Sequence, residues 1–469
     1  MPHSTPHVAS RIVLVAAAFV AFAAAITNQL PKGLSDFDQS FYLTIAYDID
    51  RYGVFSNGMF DNTDSTREAP PAGMFFVPGY PLLVVAVMKM DSRFAKAVEC
   101  SVEANHNKRN VAECEVYATP IHIIHAFLLA LGVLAVALSG ELIFGSARVF
   151  WIAGALATGG LSAKADLFSY IMTESMTVSL YSIFALFAVL AWKSSRIGYF
   201  ALAGIYLGLL CLTRPSFVIL MPVLLLLITL NARWLASRTI RSAWSPLLAF
   251  AAACLIVVGP WTARNYFSVG KWGLTEEYGS ATLIERFAYN DMTAWEFMLA
   301  FPYCVPGIGD MSFDQVDGND SMHRFLYRTH DSFFQVGRER RDTLVKQYGR
   351  LDPLIVGIAL DELRTNWWRH LLVSIPLGWC GMWAWWLWSL VLVPLFGWAC
   401  VRAAQQARPL FLLYAVPAVL MLGLHAAVAN LYSRYNLILI GPFSIGAAWI
   451  ISALLRNWRL RLRTLAPGP

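Results

Sequence analysis

The chain has 469 residues, 57% of them hydrophobic and only 14% charged. Soluble domains carry about 25% charged residues, and the shortfall falls in repeated apolar blocks, so a soluble globular protein is excluded and an all-α polytopic membrane protein is expected. The net charge of +6 is modest and lies mainly in short loops, which speaks for orientation of membrane spans and against a nucleic-acid partner.

Ten spans are predicted, at about 12–30, 119–143, 148–163, 171–192, 199–213, 216–231, 243–261, 371–401, 409–428 and 436–455. With this count Arg148, then Lys193 and Arg196, then Arg233, Arg238 and Arg241, then Arg402 and Arg408, then Arg456 to Arg463 share one side. The positive-inside rule makes that side the cytoplasm and puts two long loops, 31–118 and 262–370, outside. The protein is thus expected to be integral to a membrane, with both long loops on its outer face. A cleavable signal peptide is the alternative reading of the first span, because Ala21-Phe22-Ala23 resembles a cleavage site.

Just past the first span stands Asp36-Phe37-Asp38-Gln39. A carboxylate at the bilayer surface can act as general base on something the membrane delivers. Asp38 is the candidate base and Asp36 its neighbour; the competing reading is that both merely cap the helix predicted over 39–52. Residues 53–66 are rich in Gly, Asn and Asp and read as loop. Pro78-Gly79-Tyr80-Pro81 then leads into an apolar run, Leu82 to Met90, too short to span and expected as an interfacial helix. In the polar segment 91–118, Cys100 and Cys114 can bridge in an oxidising compartment, or remain two thiols. Cys211, Cys254, Cys380 and Cys400 fall in or beside spans and are expected to be inert.

Charged residues at the outer ends of spans are the next signal. Arg214 follows Thr213, Arg264 lies in Pro260-Trp261-Thr262-Ala263-Arg264-Asn265, and Arg434 precedes the tenth span. The positive-inside rule disfavours these positions, and a guanidinium fork suits phosphate; snorkelling to lipid headgroups is the alternative. Glu174 starts the fourth span, either as a site residue or as an acid favoured by the helix dipole. His122 and His125 lie one turn apart without a third ligand, so no metal is expected. The second outer loop is expected to form a small helical cap, with Trp367 and Trp368 as interface anchors. No phosphate-binding P-loop, dinucleotide fingerprint or nucleophile elbow is present.

The order of these pieces resembles the GT-C glycosyltransferases of the protein mannosyltransferase and aminoarabinose transferase superfamily. The matching pieces are Asp38-Gln39-Ser40-Phe41-Tyr42 continuing to Ala46, Arg67 with Pro78-Gly79-Tyr80-Pro81, Thr173-Glu174, the Pro-Trp-x-x-Arg-Asn run at 260–265, and Arg434-Tyr435. The resemblance implies one integral membrane domain of the GT-C fold over 1–469. It implies an inverting transferase taking a sugar from a polyprenyl phosphate and passing it to a lipid or envelope-glycan acceptor, with no cofactor. It assigns the base to Asp38, the donor phosphate to Arg67, Arg264 and Arg434, and substrate contacts to Tyr42, Tyr80, Glu174 and Tyr435, and it points to a bacterial inner-membrane enzyme with its active site on the periplasmic face; Arg214, from its place at a span end, is a further candidate for the donor phosphate. Gln39 departs from the family's usual Glu, which makes Asp36 the candidate for a second catalytic carboxylate. A transporter of a lipid-linked sugar, a protein O-mannosyltransferase, and a relative that only binds polyprenyl phosphate are the competing functions; a transporter predicts an internal repeat, and none is visible.

Overall fold

The computed structural model describes residues 8–29, 32–36, 38–58, 68–107, 110–230, 244–309, 323–325, 329–429 and 433–465. Every regular element among them is helical, and seven helices are long and apolar enough to cross a membrane. Lipid offers no partner for backbone groups, so an apolar stretch closes its own hydrogen bonds as a helix.

The chain divides into two compact units. The first comprises 1–274, 398–414 and 440–469, and the second 275–397 and 415–439. In the first unit α1 (Val8–Thr27) packs against α5 (Thr119–Phe144) and α6 (Ala147–Ser162). Outside these lie α2 (Gln39–Tyr52), α3 (Gly79–Met90) and α4 (Ser92–His106), which pack on one another around Leu43, Tyr47, Tyr80, Val84, Phe94 and Val98. Asp91 caps α4 by accepting from the N–H groups of Arg93 and Phe94, and a disulfide joins Cys100 to Cys114. After the one-turn α7 (Ala165–Phe168), α8 (Glu174–Ser194) runs between α5 and α9 (Ile197–Cys211). Then come a 3-10 turn at Pro215–Ile219, α10 (Leu220–Leu230) and α11 (Trp244–Val269).

Gly204 and Gly208 let α9 and α11 touch backbone to backbone. A Cβ on Gly204 would lie 2.2 Å from the Phe250 carbonyl oxygen, and one on Gly208 would lie 2.7 Å from Val257 Cβ. Small residues four apart are the usual device for close helix approach in lipid.

The second unit holds α12 (Tyr278–Phe287), α13 (Ala294–Tyr303), α14 (Phe333–Tyr348) and α15 (Asp352–Met382). Two further helices, α16 (Ser389–Gln405) and α17 (Pro409–Val428), begin in one unit and end in the other, and α18 (Ile440–Leu465) closes the first. A buried arginine, Arg286, organises this unit. It donates to the Ala426 carbonyl (2.7 Å), Asn290 Oδ1 (3.1 Å) and Ser374 Oγ (3.0 Å), so its charge is met by dipoles.

Four expectations need correction. The third and fifth predicted spans are helices of 16 and 15 residues, short of the roughly 20 expected to cross a bilayer, and the sixth is helical from Pro215 to Leu230, where the described residues stop. The predicted span 371–401 is broken: α15 ends at Met382, a 3-10 turn covers Trp386–Trp388, and α16 starts at Ser389. Pro260 to Asn265 do not open a loop, because α11 carries them inside its helix to Val269. Cys380 is not an inert thiol but is bridged to Cys304. Local apolarity registers none of these, since each is decided by a turn or by a partner distant in sequence.

Candidate functional site

The acidic cluster is organised by its glutamine. Asp36 Oδ2 accepts from the Gly33 N–H (3.0 Å), and the Asp36 N–H donates to the Gly33 carbonyl (3.0 Å), which folds a tight turn before α2. Gln39 is buried and donates from its amide to the carbonyls of Gly33 (3.0 Å) and Asp36 (2.9 Å). Its own oxygen accepts from the Ile171 N–H at 2.8 Å. One side chain thus joins the turn, the start of α2 and the segment leading into α8. Asp38, half-buried at the N-cap position, makes no capping hydrogen bond to α2. The capping reading therefore fails for Asp38, and Asp36 serves the preceding turn. Phe37 lies outside the described residues.

The Pro78-Gly79-Tyr80-Pro81 run is held against the end of α9. The Gly79 N–H donates to the Leu212 carbonyl at 2.6 Å, and a Cβ at position 79 would lie 2.5 Å from that oxygen. Glycine is required by contact. Tyr80 is fully buried and meets the edge of Tyr42, with ring centroids 5.2 Å apart. Burial, with Glu174 and Tyr42 adding to it, raises the Tyr80 pKa, so its hydroxyl stays a proton donor. It pairs with His125 Nε2 at 3.0 Å, while His125 Nδ1 lies 3.1 Å from the Phe168 carbonyl. A carbonyl only accepts, so Nδ1 carries the proton and Nε2 accepts from Tyr80. His122 Nε2 likewise donates to the Ser169 carbonyl (2.9 Å). The two histidines are clamps on the segment before α8.

Glu174 and Arg214 form a shielded ion pair. Arg214 Nη2 donates to Glu174 Oε1 at 2.7 Å and Nε to Thr173 Oγ1 at 3.0 Å, with the two charged side chains 14% and 4% exposed. Glu174 also sits in the first turn of α8, where the helix dipole favours a carboxylate. Arg214 thus bonds a protein carboxylate.

Arg264 is a clasp. From the last turns of α11 it donates to the carbonyls of Gly73 (2.5 Å) and Phe55 (2.8 Å), and its guanidinium lies 5.0 Å from the Trp261 ring centre and 5.5 Å from that of Phe55. Asn265 Nδ2 and Trp261 Nε1 donate to the carbonyls of Gly273 (2.9 Å) and Leu274 (2.8 Å). Arg264 thereby fastens Phe55 and Gly73 to α11.

Of the other expected residues, Arg67 lies outside the described residues. Arg434 and Tyr435 belong to the second unit, where the guanidinium lies 5.6 Å from the Tyr435 ring and that ring lies 5.6 Å from His425. Asp36, Asp38, Tyr42, Tyr80, Glu174, Arg214 and Arg264 all belong to the first unit.

Two features escape sequence reasoning. Lys32 Nζ stands 5.0 Å from the centre of the Tyr170 ring, next to the residue that Gln39 holds. In the second unit Glu276, Glu277 and Asp352 bring carboxylate oxygens within 4.8 Å of one another. Glu277 accepts from the N–H groups of Leu351 (2.6 Å) and Asp352 (3.2 Å), Asp352 accepts from that of Glu277 (2.9 Å), and Glu276 pairs with Arg350. Glu277 and Asp352 thus bond backbone N–H groups at each other's helix starts across 75 residues of sequence, a separation that leaves no motif to read.

No family model matches the chain, and no curated protein matches it. Solved structures do. The Archaeoglobus fulgidus oligosaccharyltransferase, tethered to an acceptor peptide containing the NVT sequon, matches 97% of this chain at 13% identity with a TM-score of 0.49. The match takes in 51% of that enzyme, so the chain spans about half its length. ArnT from Cupriavidus metallidurans matches in the apo state at 14% identity, over 93% of this chain and 77% of that one, with a TM-score of 0.38. The same enzyme bound to undecaprenyl phosphate matches at 14% identity, over 94% and 78%, with a TM-score of 0.37. Each of these matches runs over most of the chain at low sequence identity.

Proposed function

We propose that the chain is an inverting GT-C glycosyltransferase that moves a sugar from a polyprenyl-phosphate donor to a lipid or envelope-glycan acceptor on the outer face of the membrane. One observation carries this reading. The segments that the sequence resemblance singles out within the first unit are stitched together by direct bonds: 38–46 to the segment before Glu174 through Gln39, 78–81 to 212–214 through Gly79, and 260–265 to the first loop through Arg264.

In the proposed reaction the acceptor hydroxyl attacks the anomeric carbon from the side opposite the phosphate. The bond from that carbon to the phosphate oxygen breaks, polyprenyl phosphate leaves with the electron pair, and Asp38 takes the hydroxyl proton. Asp36 shapes the turn with Gly33. Glu174 and Arg214 hold the floor of the site through their ion pair, and Tyr42, backed by the buried Tyr80, offers an aromatic edge to the sugar. Arg67, six residues before the Gly73 carbonyl held by Arg264, meets the donor phosphate. The disulfides Cys100–Cys114 and Cys304–Cys380 support an outer placement of both long loops, because such bridges persist in oxidising compartments.

The test is reconstitution of the purified protein in nanodiscs with a panel of undecaprenyl-phosphate sugars, reading release of undecaprenyl phosphate. Release in the presence of an envelope lipid extract, lost in Asp38→Asn, is expected. Equal release by Asp38→Asn would remove the base from Asp38, and no binding of any donor would sink the transferase reading.

A further inference from the structure

Helix α15 carries two apolar faces, one packed and one exposed. Ile355 and Ile358 pack with Ala281, Ile284, Leu344 and Leu351, in a cluster shared with α12 and α14. On the opposite face Val356 is 66% exposed, Leu360 50%, Leu363 42% and Trp367 57%. These four follow at spacings of four, three and four residues, so they line up as one stripe along the helix. At 1.5 Å per residue the stripe is about 16 Å long.

The stripe is not an isolated patch. Past Trp367 the same helix goes on exposing apolar side chains, at Trp368, Leu371, Leu372 and Ile375. It then leads into Trp386–Gln405, a stretch long and apolar enough to cross a membrane. Two indoles, Trp367 and Trp368, stand where the stripe meets this apolar half, and indoles concentrate at membrane–water interfaces. The helix breaks at the same place. Asn366 has φ −126° and ψ 15°, and its amide donates to Glu362 Oε1 (3.0 Å), which also accepts from Asn290 Nδ2 (2.9 Å). The turn that follows α12 thus holds the break, which lets the two halves of α15 meet a bilayer at different angles.

Charges lie beside the stripe and not in it. Asp361 and Arg364 flank it, with side chains 82% and 77% exposed and 3.9 Å apart. On a helix at a lipid surface such side chains reach the headgroups while the apolar face meets the acyl chains. A contiguous exposed apolar face is costly in water and marks an interaction surface.

We propose that residues 352–367 form an interfacial helix that lies along the bilayer surface, with Val356, Leu360, Leu363 and Trp367 at the headgroup–acyl boundary and Asp361 and Arg364 among the headgroups. Lipid occupies the stripe, because the stripe is continuous with the apolar surface of the half that leads into the membrane. The inference stands on α15 alone and does not depend on the transferase reading. It moves the start of membrane contact in the second unit from residue 371, where apolar length puts it, back to Val356.

Spin labelling of the full chain in nanodiscs of phosphatidylcholine and phosphatidylglycerol tests the proposal. A nitroxide is attached at Leu360→Cys and, for comparison, at Thr343→Cys, an exposed position on α14. The parent chain treated alike gives the background from Cys211, Cys254 and Cys400. Oxygen concentrates in lipid, whereas nickel ethylenediaminediacetate stays in water. The ratio of oxygen to nickel collisions at Leu360 should exceed that at Thr343 several-fold. Equal ratios, with nickel reaching Leu360 freely, would put the stripe in water and overturn the proposal. Low collision rates with both reagents would show that protein covers the stripe, from a second copy or from another part of this chain, and would overturn it as well. Val356→Cys reads the same face one turn earlier and should agree with Leu360→Cys.

Discussion

Gln39 Oε1 receives the Ile171 N–H at 2.8 Å across 132 residues of sequence, while its amide group donates to Gly33 and Asp36. Only an amide makes all three bonds: a carboxylate would accept from Ile171 but would oppose two carbonyl oxygens. This explains why glutamine stands where the resembled family has glutamate. Gln39→Glu should therefore destabilise the first unit by at least about 2 kcal/mol, since it would bury a carboxylate against the Gly33 and Asp36 carbonyls and remove the donor they share. Denaturant unfolding in detergent checks it; unchanged stability would show the site relaxing around the charge.

Asp38→Asn removes the proposed base while keeping the shape of the side chain. Transfer should drop by about 100-fold or more, with the unfolding midpoint and donor binding unchanged, because Asp38 does not cap α2. Asp36→Asn should act differently. It weakens the turn with Gly33, so any loss of activity should track a loss of stability.

Breaking the Glu174–Arg214 pair should be costly from one side only. Arg214→Met leaves a carboxylate that is 4% exposed without its guanidinium and should cost about 3–5 kcal/mol. Adding Glu174→Gln should restore much of the loss. If the double variant is no more stable than the single one, the pair is not what holds this end of α8.

Arg264→Lys should fail to replace Arg264. A single ammonium cannot reach the Gly73 and Phe55 carbonyls with a planar fork while lying on Trp261. Limited proteolysis should then cut residues 53–75 faster in Arg264→Lys than in the parent, and faster still in Arg264→Ala. Equal cutting in all three would show that the loop holds without its clasp.

The second unit should weaken in acid through His370. Burial first, and the neighbouring Arg286 second, hold the His370 pKa below its ordinary value, with Glu362 opposing. His370 Nδ1 lies 3.2 Å from Asn290 Oδ1, and Phe287 packs on its ring. The folded state thus favours neutral imidazole. As pH falls through about 6.5 the unfolded chain takes up the proton first, so stability is full above that pH and declines below it. The melting midpoint should fall between pH 7.5 and pH 5.5, and His370→Gln should flatten that fall. An equally steep fall in His370→Gln would assign it to other groups.

The legible part of this chain was what local pattern controls. Apolar length revealed the helices at 8–27, 119–144, 174–194 and 409–428, and composition marked 53–58 as loop. Long-range pairing was illegible. Nothing near Gln39 announces Ile171, nothing near Cys304 announces Cys380, and Arg264 reads as a phosphate fork until Phe55 and Gly73 are seen beneath it. At span ends Arg214 and Arg264 suggest substrate ligands from sequence, and in the fold each also bonds the protein itself. A charge too costly to leave unpaired at a membrane surface looks the same in sequence whichever partner it has.

The glycine seam between α9 and α11 acts as a ruler. The end of α9 leads to Leu212 and Arg214, and the last turns of α11 carry Trp261 to Asn265. Because the two helices meet through the Phe250 carbonyl and the Cα of Gly204, the offset between those segments is set by backbone contact. Side-chain rotamers can change without altering it, and so can the thickness of the surrounding lipid. A methyl group at Gly204 would push one helix along the other and move both segments together, far from either.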